Sequence, residues 1–115
     1  MESLESILED ISAFPGIISA AVADDAGAYI SGVNVEDTDE FAAILTYVGR
    51  SGMALEDLLG ADRLRYITLS GKEIKLIVHQ VNDLFLGVRL EDGAIVSKLE
   101  MKISQCVEKL CATSK

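Results

Sequence analysis

Residues 14–32 read Phe14-Pro15-Gly16-Ile17-Ile18-Ser19-Ala20-Ala21-Val22-Ala23-Asp24-Asp25-Ala26-Gly27-Ala28-Tyr29-Ile30-Ser31-Gly32, and this stretch decides the fold. Pro15 lacks an amide donor and Gly16 turns where other residues cannot, so together they stop the helix that precedes them. A short apolar run follows, then Asp24-Asp25-Ala26-Gly27, residues that tolerate left-handed backbone, then a second short run. The stretch is a helix exit feeding a tight β-hairpin over about 17–32.

Upstream, Leu4, Ile7, Leu8 and Ile11 recur at i, i+3, i+4 and i+7, which predicts an amphipathic helix over residues 3 to 13. Downstream, Asp37-Thr38-Asp39-Glu40 opens a long helical pattern. Asp37 with Glu40 three later suits a reciprocal cap, and the acids suit the positive end of the helix dipole. The core stripe of that helix reads Phe41, Ile44, Leu45, Val48, Gly52, Leu55 and Leu59, ending near Gly60. From Arg63 the period becomes two. Arg63 to Leu69 is a strand, Ser70-Gly71 turns it, and Glu73 to His79 returns; Asn82-Asp83 turns again into Leu84–Leu90, which Asp92-Gly93 closes. Ile95, Leu99, Ile103, Cys106 and Leu110 then stripe a final helix. The order is α-β-β-α-β-β-β-α. Hairpins dominate it, so the expected fold is an α+β sandwich with helices packed on a five-stranded antiparallel sheet.

The chain has 115 residues, half of them hydrophobic, and is expected to form one domain over 1–115. No apolar run reaches the roughly 18 residues that would span a bilayer, so no membrane insertion is expected. The acidic start Met1-Glu2-Ser3-Leu4-Glu5 lacks the pattern of a secretory signal, and a cytoplasmic location is the simplest account. The net charge is −9, unevenly placed: residues 1–62 carry 13 Asp/Glu against Arg50 alone, whereas residues 63–115 carry 6 against 9 Lys/Arg. That acidity argues against nucleic acid as a partner, because phosphate binding needs clustered cations. The asymmetry fits oriented docking between charged proteins, and equally a set of solvated helix faces.

No catalytic, metal or cofactor site emerges. His79, the single histidine, has no Ser or Cys brought to it by any motif and sits amid Ile77, Val78 and Val81, a structural setting. Gly71-Lys72 fails as a phosphate loop, with Tyr66 where its first glycine and Glu73 where its Ser/Thr would stand. Asp24-Asp25 lacks the alternating oxygens of a calcium loop. Cys106 and Cys111 point about 140° apart on one helix and can neither pair nor share a metal.

The helix, the Pro15-Gly16 break, the small apolar strand and the Asp24-x-x-Gly27 turn resemble the opening of the Roadblock/LC7 domain, and the element order extends that resemblance over nearly the whole chain. The resemblance implies a protein-binding role, chiefly toward small GTPases and motor complexes. It also implies a long middle helix on one sheet face, the other two helices on the opposite face, and an edge position for the third strand. Subunits of the family join edge to edge through that strand while their middle helices cross. Here the pairing strand would be Arg63–Ser70 and the crossing helix Asp39–Leu59.

The residues speak to the same interface. The strand has no proline and only Arg65 as a charge over residues 64–69, which leaves its edge open unless loops or a helix cover it. Beside the helix core stripe runs a line of Ala42, Thr46, Gly49 and Met53, small enough for two helices to approach closely. Gly49 and Gly52 each cost about 1 kcal/mol in a helix, so either a close crossing requires them or the helix breaks there. The expected product is a homodimer using Ala42, Thr46, Gly49, Met53, Arg65, Ile67 and Leu69.

Bacterial and archaeal members of the family act as activating or co-regulatory partners of Ras-like GTPases. The expected contact residues are therefore the outward Tyr47, Arg50, Ala54 and Asp57. Arg50 presented in trans could stabilise phosphoryl transfer, although a solvated surface arginine is the favoured reading. The alternatives are a constitutive adaptor like the dynein-associated members and, less favoured at 5% aromatic residues and no tryptophan, a ligand-sensing domain.

Overall fold

The computed structural model describes residues 3–60, 66–72 and 74–113, with side-chain environments to residue 111. Ser3 caps the first helix, α1 (Leu4–Ser12), its hydroxyl accepting from the Ser6 amide at 3.1 Å. Ile7, Leu8 and Ile11 of its stripe are buried. After Pro15-Gly16 the chain enters β1 (Ile17–Asp24) and returns as β2 (Tyr29–Val33). One carboxylate organises the turn between them. Asp24 Oδ1 accepts from the Ala26 amide at 2.9 Å and the Ala28 amide at 2.8 Å. Gly27 supplies the positive φ of 95° that a side chain would resist.

The middle helix α2 (Thr38–Leu59) is continuous through Gly49 and Gly52. Asp37 caps it by accepting from the Glu40 amide at 3.0 Å, and left-handed Gly60 closes its end. Then come β3 (Tyr66–Ser70), β4 (Lys75–Val81), β5 (Leu84–Leu90) and α3 (Val96–Thr113). Arg65, Arg63 and Leu64 of the expected pairing strand lie outside the described residues.

The strands form one antiparallel sheet in the order β2-β1-β5-β4-β3, so β5 enters between β1 and β4 and leaves β2 and β3 at the edges. Alternation along each strand splits the core into two layers. On one side α1 and α3 cover Ala20, Val22, Ile77, Leu86 and Val88. On the other, α2 covers Ala21, Ala23, Leu76, Val78 and Phe85.

The face that α2 turns to this sheet differs from the expected one. Ala42, Thr46 and Gly49, assigned above to a seam with a second helix, point inward and are buried. Ala42 is 0% exposed, and Thr46 donates its hydroxyl to the Asp24 carbonyl at 3.1 Å, tying α2 to the end of β1. Gly49 lies against the Phe85 ring, which a Cβ would overlap. These three residues have no surface to offer a partner helix. Conversely Leu55 and Leu59, assigned to the core stripe, are 44% and 71% exposed. The buried arc is rotated by about 70° from the stripe of large residues. Its cause is complementarity with the sheet: Leu45 fills the space over Gly87, and Phe85 fills the space under Gly49.

Candidate protein-binding surfaces

At one sheet edge, β3 pairs with β4 alone, and among the described residues no strand meets its other side. Backbone donors and acceptors on such an edge are a template for another strand unless proline, charge or a bulge blunts it. Tyr66-Ile67-Thr68-Leu69-Ser70 contains none of these, and its register with β4 is regular. Ile67 and Leu69 lie opposite Val78 and Leu76 and so share the α2 side; Leu69 is 40% exposed and Ile67 half-buried. On the reverse side the Tyr66 ring leans on His79, with centroids 5.4 Å apart.

The second half of α2 runs beyond the part of the sheet it covers. Met53 is 43% exposed on one flank there, and Leu55, Leu58 and Leu59, exposed by 44%, 80% and 71%, lie about 120° or more around the helix from it. Met53 and Ile67 line one shallow cleft between α2 and β3, which joins Met53 to the edge strand. Contiguous exposed apolar surface of this kind marks interaction sites. Of the seven residues expected at a dimer seam, Met53, Ile67 and Leu69 lie in this region. Leu58 escaped the sequence reading; the signal for it was a Leu55, Leu58, Leu59 cluster broader than one core stripe requires.

Tyr47, Arg50, Ala54 and Asp57 fall within about 80° on the solvent side of α2. All four are exposed, Tyr47 by 76%. The helix holds them as a straight row, with Ser51 donating to the Tyr47 carbonyl at 2.8 Å beside it. His79, by contrast, is only 3% exposed and packed within the sheet. Among the described residues no three His, Cys, Asp or Glu side chains are grouped to hold a metal, and no helix is long and apolar enough to cross a membrane. Cys106, which is buried, and Cys111 are in no disulfide among the described residues. The exposed features are therefore an edge strand, an apolar patch and a polar-aromatic row, all suited to binding macromolecules.

Comparison with known proteins agrees with this architecture. No curated protein sequence matches the chain significantly. Among solved structures, a Roadblock/LC7 domain from Streptomyces avermitilis superposes with a TM-score of 0.84 at 17% identity, covering 95% of each chain. MglB from Myxococcus xanthus superposes at 0.82 with 16% identity over 96% of each chain. The gliding protein MglB from Thermus thermophilus superposes at 0.80 with 19% identity, over 92% of this chain and 84% of that one. At such identities these likenesses establish the fold. A sequence model of the Roadblock/LC7 domain matches residues 4–90, from α1 to the end of β5, and on that match the chain belongs to the Roadblock/LC7 domain family.

Proposed function

We propose that this protein is a non-catalytic, homodimeric binding module of the cytoplasm that engages a Ras-like small GTPase and regulates it, as activator or co-regulator. The observation that carries the reading is the row on α2. A rigid helix presents Tyr47 and Arg50, residue types enriched among interface anchors, on a surface that the chain's own fold does not use. Family membership supports a small GTPase as the class of partner. Regulation would follow if the row holds the switch segments of the GTPase in one arrangement.

Self-association would use the edge strand and the end of α2. Two β3 strands pairing edge to edge would extend the sheet across a two-fold axis, and Met53, Leu58, Leu59 and Leu69 would leave water together. This assigns the helix contribution to its second half, because Ala42, Thr46 and Gly49 are committed to the chain's own core.

The test is affinity capture from native lysate with the tagged chain, loaded in parallel with GDP or a non-hydrolysable GTP analogue and read by mass spectrometry. Enrichment of a small GTPase in one nucleotide state supports the proposal. A set of non-GTPase proteins identical in both states overturns it in favour of a constitutive adaptor.

A further inference from the structure

Under the first turns of α2, at the opposite end of that helix from the apolar patch, lies a cleft of about 370 Å³. Its floor is the sheet and its roof is α2 with the connection from β2. Two polar side chains on the floor have no hydrogen-bond partner among the described residues. Arg89 of β5 buries its Nε with no hydrogen-bond partner, and among the described residues it makes no ion pair. Ser19 of β1 is 2% exposed, and no hydrogen bond engages its hydroxyl among the described residues. A guanidinium in such a setting fits a carboxylate, which its fork can bind in two places at once. Both floor groups come from neighbouring strands and are within one lining.

The rest of the lining narrows the ligand. Ile18, Phe41, Ile44 and Leu76 form apolar walls. Glu36 and Glu40 stand exposed on the roof side, and Asp37 beside them is occupied by the helix cap. Three acids against one arginine disfavour phosphates and other multiply charged anions, while two free carboxylates favour an ammonium group. The volume is at the small end of ligand sites, which run from about 300 to 1,000 Å³. It suits a molecule smaller than a nucleotide.

The geometry points to a binding site for a small zwitterion with an apolar body, of the chemical class of a free aliphatic or aromatic α-amino acid. Its carboxylate meets Arg89 and Ser19, its ammonium faces Glu36 and Glu40, and its side chain lies against Phe41 and Ile44. The site stands independently of the GTPase reading, since no residue of the outward row lines it. Because Glu40, Phe41 and Ile44 belong to α2, occupancy also braces the helix that carries that row.

Titration calorimetry on the full chain with leucine, isoleucine, valine, methionine and phenylalanine tests the site, with Arg89→Met and Glu40→Gln as variants. Saturable binding of at least one of these is expected. Leucinamide lacks the carboxylate and N-acetyl-leucine lacks the ammonium; each is expected to bind about tenfold or more weakly than leucine. Arg89→Met should weaken binding by a similar factor, and Glu40→Gln should reduce the preference for leucine over N-acetyl-leucine, each with an unchanged circular dichroism spectrum. If Arg89→Met fails to fold, the two leucine derivatives on the unaltered chain decide the matter alone. Absence of binding by all five amino acids at millimolar concentration, or equal binding of leucine and both derivatives, would overturn the assignment.

Discussion

Gly49 of α2 and Phe85 of β5 occupy one another's space: the ring lies where a side chain at Gly49 would begin, within 2.6 Å of a Cβ at its Cγ. Phe85 is 1% exposed and among the largest fully buried side chains of the fold, so it has little freedom to retreat. The glycine therefore has a reason inside the subunit, and the cost of a helical glycine is offset by an aromatic side chain that α2 could not otherwise cover.

Gly49→Ala is accordingly expected to destabilise the protein by about 1–3 kcal/mol through overpacking, despite alanine's better helix propensity. Combining it with Phe85→Leu should recover part of that loss. Urea denaturation of the four proteins in a double-mutant cycle measures the coupling, expected at about 1 kcal/mol or more. Additive losses would show that the two side chains do not compete for space.

Asp24→Ala removes the acceptor shared by the Ala26 and Ala28 amides. Both bonds lie in an exposed turn, where water replaces part of what is lost, so a cost of about 1–2 kcal/mol is expected. Thermal unfolding checks it. Asp24→Asn keeps an oxygen at the same position and should recover most of the stability.

Leu58→Asp combined with Leu69→Lys alters side chains that are 80% and 40% exposed in the subunit. The subunit fold should change by no more than about 1 kcal/mol, since exposed positions contribute little to it. Analytical ultracentrifugation should show loss of self-association. A protein that stays dimeric at the same concentration would place its seam elsewhere than β3 and the end of α2.

Tyr47→Ala with Arg50→Ala should leave the melting temperature near its original value, because Tyr47 is 76% exposed and Arg50 exposed. Against the captured GTPase, biolayer interferometry should show a loss of about 2 kcal/mol or more if these residues are anchors of the contact. An unchanged dissociation constant would remove this face of α2 from the interface.

The elements were legible in the sequence because each rests on local chemistry. Asp24-x-x-Gly27 encodes its turn in four residues, Asp37 and Gly60 bracket α2, and the Leu84–Leu90 strand was legible to the residue. What escaped is the face that α2 buries. Large side chains normally mark a core stripe, but here part of the bulk comes from the sheet, and small helix residues receive it. Only the pairing of Phe85 with Gly49, and of Leu45 with Gly87, reveals this, and those partners lie far apart in the chain. Arg89 was silent for the same reason: its place under α2 depends on β5 lying beside β1.

That β1–β5 pairing also governs the order of events during synthesis. Its register joins Ile17 to Leu90 and Asp24 to Leu84, across an intervening hairpin strand, a long helix and two further strands. Closing so large a loop is entropically costly and slow compared with forming the adjacent hairpins. A nascent chain thus holds Ala20 and Val22 of β1 unpaired on one flank until β5 has left the ribosome. During that interval the amino-terminal hairpin is the segment that most needs shielding from other chains.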